Sequence, residues 1–273
     1  MTNSLPFTTM CAKRTMIGHT HAYRNYKQQN EELFEFLVLI CYAVPAYKQE
    51  LKKRIGGGTV TLPPADHFQH DKTSDTELLQ RAQLYTKRVG CFVMLSAFSY
   101  FESYVAAALR ELFAFHGGEK EFIKRASGYA SRSLRAQQTG KSDAKRKLQE
   151  PTTARLREKH EKYIRQLAAT GFRFPSDFLA PYGLQALADQ LSERKFKPVM
   201  IPRLLTEALN MDVSTATLDR FTQLRQKRND IAHGKVHQFD LSAALDAYDY
   251  LKAFAAEIDK HLVETFFVLE LYR

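Results

Sequence analysis

Two opposite charges stand where a helical chain should be apolar, and they constrain the fold more than any other feature. From about Thr76 to Phe115 there is no proline and one glycine. Within that run Leu95, Phe98, Glu102, Val105, Leu109 and Leu112 recur by threes and fours, the pattern of a helical seam. Glu102 takes a seam position although its surroundings, Phe101 and Tyr104 among them, are apolar. Far downstream, Leu218, Phe221, Leu224 and Ile231 repeat the spacing. At about 100° per residue, Arg228 falls between Phe221 and Leu224 on that stripe. An unpaired charge buried in a core costs several kcal/mol or more. The two helices must therefore face each other, with Glu102 and Arg228 buried and within hydrogen-bonding reach. Such a pair fixes the register between helices, and it also orients Arg228 for any chemical role.

Arg228 belongs to the decapeptide Arg225-Gln226-Lys227-Arg228-Asn229-Asp230-Ile231-Ala232-His233-Gly234, which reads as a helix end. Gly234 sits where a left-handed residue commonly closes a helix. Arg225, Asn229 and His233 are spaced i, i+4, i+8, so they share a face that ends at the last turn. They offer one ligand a cation, an amide and an imidazole that exchanges protons near neutrality. The helix dipole alone favours cations at this end, but it does not explain an arginine on the apolar stripe.

The string Arg-Asn-Asp-Ile-Ala-His-Gly resembles the Arg-x4-6-His signature of the HEPN superfamily, of the RiboL-PSP type or a related ribonuclease or toxin branch. The approach to it, Ile201 to Leu224 with Asn210-Met211-Asp212-Val213 joining two short helical patterns, is similar as well. The resemblance implies an all-α, HEPN-like antiparallel helical bundle with an active site that dimerisation completes. The catalytic roles would fall on Arg228 and His233 with Asn229 beside them, and Glu102 would be the acidic residue on an earlier core helix. Some toxin members carry a tyrosine two residues past the histidine; Lys235 stands there, so nothing depending on that tyrosine carries over. Activity by resemblance is metal-independent RNA cleavage, with no metal and no cofactor, in a toxin or phage-defence effector. The alternative is a non-catalytic HEPN-like protein that binds RNA or a partner. The resemblance covers roughly residues 76–115 and 199–270. It leaves 1–74 as an N-terminal helical elaboration packed on the core, and 118–198 as an insertion within a domain spanning 75–273.

Charge singles out that insertion. The chain carries a net +10, and between Ile123 and Arg173 fourteen Lys and Arg face four acids, a balance of +10. Such a block projects into solvent or tracks a polyanion. Beside a ribonuclease-like motif the expected partner is RNA, since phosphate contacts supply most non-specific affinity. Lys145, Arg146, Lys147, Arg155 and Arg157, with Arg225 from the motif helix, are the expected RNA-binding cations. Lys159, Lys162 and Arg165 extend the basic flank, and Tyr129 and Tyr163 are available for stacking. Other partners expected are a second copy of the chain and an antitoxin or defence-system protein, but no membrane. Cys11, Cys41 and Cys91 are odd in number with no Cys-x-x-Cys pair, and no signal pattern opens the sequence, so a reducing cytoplasm is expected.

The periodicity predicts helices over 20–54 with a bend at Pro45, over 76–115, and over 119–137 and 143–169 in the basic segment. Further helices are predicted over 182–194, near 199–210, over 215–233, and from Asp240 to about Leu269. The first should turn Leu33, Phe36, Leu37 and Ile40 inward. His67, His70, His19 and His21 have metal-like chemistry but no helix to fix their geometry, so they read as loop residues.

Overall fold

In a computed structural model that describes residues 18–61, 73–129, 143–149, 157–179, 183 and 197–270, the helix bearing Glu102 is the centre of an all-α bundle. The first helices are α1 (His21–Ile55), α2 (Asp75–Gln83) and α3 (Tyr85–Phe115). The basic segment that follows supplies α4 (Glu119–Tyr129), α5 (Asp143–Leu148), α6 (Arg157–Ala169) and α7 (Pro175–Phe178). A short α8 (Ile201–Arg203) runs into a π turn, Leu204–Ala208, and the chain finishes with α9 (Thr215–Ala232) and α10 (Leu241–Thr265). No strand occurs among the described residues.

Contacts fix the directions. The start of α1 meets Glu111 near the end of α3, and Phe36 meets Phe92 near its beginning, so the two run antiparallel. Phe101 stacks on Phe254 at 5.7 Å, and His116 bonds the carbonyl of Phe266, so α10 runs the same way as α3. Tyr250 donates to the Thr217 carbonyl and Arg220 to that of Asp246, which sets α9 antiparallel to α10. Phe98, Phe101, Phe221 and Phe254 meet where these helices converge, all fully buried.

The N-terminus of α1 is tied down by acids from two other helices. Thr20 caps it, its Oγ1 accepting from the Tyr23 N–H at 3.0 Å and donating to Asp259 Oδ1 at 2.5 Å. The two oxygens of Glu111 accept from the N–H groups of His21 and Ala22, each at 2.9 Å. Asp259 is completely buried and also bonds His19 at 2.8 Å. Carboxylates here answer both the unpaired donors and the positive end of the helix dipole. His19 is thus an anchor residue; His67 and His70 lie outside the described residues.

Several expectations are corrected. The run 76–115 is two helices, because Leu84 closes α2 with its N–H turned back to Arg81 and α3 begins afresh. A capping box of Ser74 and Glu77 starts α2. α1 runs through Pro45 to Ile55, close to its expected span, but its inward face holds Leu33 and Leu37 while Phe36 is about half exposed. α10 stops at Thr265; the apolar residues read as its last turn, Phe266 to Leu269, form a buried non-helical strap. That strap docks α5 and the start of α7. Leu269 N–H donates to the Leu148 carbonyl at 2.9 Å, and the buried Glu270 carboxylate accepts from Ser176 Oγ at 2.6 Å. Val268 joins Leu148, Ile164, Leu167 and Phe174 in a second small core. The predicted helix over 182–194 lies outside the described residues apart from Gly183, as do parts of the two basic helices.

Candidate active site

α3 supplies Glu102, and the motif residues are carried by α9 and its exit. Ser214 caps the start of the helix, accepting from the Thr217 N–H. At the other end Gly234 N–H bonds the Ile231 carbonyl at 3.0 Å and Lys235 N–H the Asp230 carbonyl at 2.8 Å, a Schellman closure. Gly234 has φ +68°, the left-handed conformation that the closure demands and that glycine adopts without strain. His233 is the last residue before that reversal, with its side chain exposed.

Arg228 points the other way. Five residues separate it from His233, about 140° around the helix, and its guanidinium lies over the Phe98 ring at 5.9 Å. Its Nη2 donates to Glu102 Oε2 at 3.0 Å and its Nη1 to Asn229 Oδ1 at 3.0 Å. The pairing expected between α3 and α9 is therefore present. Its burial is incomplete: the side chains of Arg228 and Glu102 keep 26% and 15% of their exposure. They sit at the edge of the core, because the open face of α3 begins beside Glu102.

The pair is also imperfectly satisfied. Glu102 Oε1 and Arg228 Nε are buried with no hydrogen-bond partner. Burial pushes the Glu102 carboxyl up, against the pull of the Arg228 charge beside it. Desolvation wins because only one carboxylate oxygen meets the guanidinium. Asn229, half-buried beside Arg228, accepts through its Oδ1. Arg225 is half-buried one turn before Asn229, on the face it shares with His233.

A close approach positions the exit from the motif. Phe239 N–H donates to the Lys87 carbonyl at 3.1 Å, pinning the link after His233 to the first turn of α3. A Cβ on Gly90 would lie 2.1 Å from the Phe239 carbonyl oxygen. The single glycine of the central run is there so that this link can lie directly on the α3 backbone.

The described basic residues of the segment differ in exposure. Lys145 and Lys147 are half-buried on α5, with the Lys145 ammonium 5.7 Å from the Phe172 ring centre. On α6 two outward cations, Lys162 and Arg165, line an open groove with Glu158 and Gln166. Arg157 opens α6, but its side chain, that of Arg146, and all of Arg155 lie outside the described residues.

Sequence reasoning missed Asp259, Glu111, His116 and Gly90. Asp259 was discoverable, since it lies among Ala255, Ile258, Leu262 and Val263 on the buried stripe of α10, the same anomaly that singled out Glu102. Residues 67–264 match the family model described as RiboL-PSP-HEPN. No curated protein and no solved structure matches the chain.

Proposed function

The chain belongs to the RiboL-PSP-HEPN family, whose function is ribonuclease-like or RNA-related, and from that premise we propose that it is a metal-independent endoribonuclease. The observation that carries this reading is the division of labour on one helix end. Arg228 is held in place by Glu102 and Asn229, while His233 stands exposed at the closing turn.

In the proposed reaction the RNA 2′-hydroxyl oxygen bonds to the adjacent phosphorus and the bond to the 5′-oxygen breaks. The products are a 2′,3′-cyclic phosphate and a 5′-hydroxyl. His233 takes the proton from the 2′-hydroxyl or returns one to the leaving oxygen. In a two-fold dimer the two His233 side chains act as base and acid at one phosphate. Arg228 stabilises the charge gathering on the phosphoryl oxygens, and Asn229 adds a donor. Glu102 acts through Arg228, keeping the guanidinium at the core edge in one orientation. α6 supplies sequence-independent phosphate contacts through Lys162 and Arg165. The cellular role that fits is a toxin or phage-defence effector, held in check by an antitoxin or defence-system partner.

The test is cleavage of RNA by purified protein in EDTA. His233→Ala and Arg228→Ala should each abolish it, and the wild-type fragments should end in 2′,3′-cyclic phosphate and 5′-hydroxyl. Fragments ending in 3′-hydroxyl and 5′-phosphate, or full activity in His233→Ala, would overturn the reading. A second reading, a non-catalytic RNA-binding member, is favoured by the commitment of both Arg228 terminal nitrogens to protein partners. It moves ahead if RNA binds and no cleavage occurs.

A further inference from the structure

The turn that closes α9 carries a second imidazole that the proposed reaction does not use. Among the described histidines, His19 is tied to Asp259, His116 to the Phe266 carbonyl and His261 to that of Leu209, while His160 is buried. His21 is exposed, but it sits by Glu111 at the far end of α3 from the motif exit. His233 and His237 remain, both exposed and neither with a hydrogen-bond partner among the described residues. The carboxylates nearest to them in the chain are occupied elsewhere. Asp230 accepts from Gln226 at 3.0 Å and faces Lys235 at 3.9 Å, and Asp240 accepts from the Ser242 N–H. These two imidazoles are therefore not spent on structural ion pairs.

The turn brings them together. The N–H groups of Lys235 and Val236 both bond the Asp230 carbonyl, at 2.8 and 3.1 Å, which folds the link back over Gly234. Val236 packs against the core and Phe239 is held to Lys87, so the backbone of His237 lies between two fixed points. Its ring rests on the turn, with Cε1 3.6 Å from where a Cβ on Gly234 would stand. Neighbouring α-carbons are about 3.8 Å apart, so that ring carbon lies within about 9 Å of the His233 α-carbon. Each imidazole extends several ångströms from its own α-carbon, and both can meet one phosphate at this turn.

We propose that His237 is a further catalytic residue of this site, carrying one of the two proton transfers of RNA cleavage while His233 of the same chain carries the other. The proposal rests on the ribonuclease reading and replaces in it only the imidazole drawn from a second copy. One imidazole takes the 2′-hydroxyl proton as that oxygen bonds to phosphorus. The other gives its proton to the 5′-oxygen as the bond from phosphorus to that oxygen breaks. The first ends protonated and the second neutral, and exchange with water restores both.

The experiment measures cleavage in EDTA by the full chain as wild type, His233→Ala, His237→Ala and His237→Gln. Two substrates are compared: an ordinary RNA, and the same RNA with sulfur in place of the bridging 5′-oxygen at the linkage that is cut. A thiolate leaves without being protonated, so the sulfur substrate needs no general acid. On ordinary RNA each variant should lose about 10²–10⁴-fold in rate, with helical circular dichroism unchanged. Glutamine keeps a hydrogen-bonding side chain but exchanges no proton, so His237→Gln should fall as far as His237→Ala. On the sulfur substrate the loss should disappear at one of the two positions and persist at the other, which names the acid and the base. Wild-type rates in His237→Ala or His237→Gln would overturn the proposal, and the ribonuclease reading would still stand if His233→Ala is inactive. Sulfur that repairs both positions or neither would overturn it too, because His237 would then shape the site without transferring a proton. A wild type that cleaves neither RNA overturns the ribonuclease reading, and this proposal with it.

Discussion

Gly90→Ala should unsettle the motif from a distance. The added methyl would lie 2.1 Å from the Phe239 carbonyl oxygen and 2.9 and 3.0 Å from the Asp240 carbonyl carbon and oxygen. Comfortable carbon contacts are about 3.5 Å, so the link must retreat by more than ~1 Å. All three atoms are backbone, and no rotamer change relieves them. Retreat breaks the Phe239-to-Lys87 hydrogen bond, worth about 1 kcal/mol, and overpacking adds about 1–3 kcal/mol. Opposing this, alanine is the better helix former by about 1 kcal/mol. The balance is a loss of about 2 kcal/mol, which for a chain of this size lowers the melting temperature by roughly 4–8 °C. Urea unfolding gives the free energy, and an unchanged m-value would place the effect in the native state. RNA cleavage measured well below the transition should fall too, because the link begins at His233. A variant as stable as wild type, or more so, would mean that helix propensity rules at this position and that the link does not rest on α3.

Other outcomes follow from particular groups. Glu102→Gln should leave stability within about 1 kcal/mol of wild type near pH 7. The raised carboxyl pKa makes wild-type stability fall as pH rises from the unfolded value toward the folded one, and urea midpoints for the glutamine variant should lose that slope. His116 is buried, bonds the Phe266 carbonyl at 2.7 Å, and has its pKa pushed down to about 4, chiefly by desolvation. Unfolded chains therefore bind the extra proton first, and as pH falls from about 6.5 to 4 roughly 3 kcal/mol should be lost; His116→Gln should flatten that part of the curve. Replacing Lys162 and Arg165 with Gln should reduce the log–log salt slope of RNA binding by roughly 0.7–0.9 per lost phosphate contact. The same change at Lys145 should do less; equal effects would contradict the different exposure of α5 and α6.

What could be read from the sequence was what polarity and period encode. Glu102 and Arg228 were legible because a charge on an apolar stripe has few affordable partners, and the left-handed Gly234 because a helix end has few closures. The incomplete burial of that pair was not legible, since exposure depends on how far α1 and α9 spread around α3. Phe266 to Leu269 were misread because helical spacing and plain burial look alike over four apolar residues. The break at Leu84 has no Gly or Pro to announce it. The inward turn of Lys145 depends on Phe172, a partner that arrives only through the tertiary packing of the insertion. Gly90 could be noticed in sequence, but the atoms that forbid a side chain there come from residues 239 and 240.

The anchoring of α1 has a consequence in time. Its first residues bond to Glu111, about 90 positions later, and to Asp259, about 240 positions later. At about 5–20 residues per second, a ribosome that has just made Thr20 needs roughly 10–50 s more before Asp259 exists. Through that interval the first helix has neither its final anchor nor its cover from α10, and its oily stretch is open to whatever else is nearby. Helix α10 is the clasp that closes α1, so the helix end bearing His233 settles against a finished bundle only once α10 has been made.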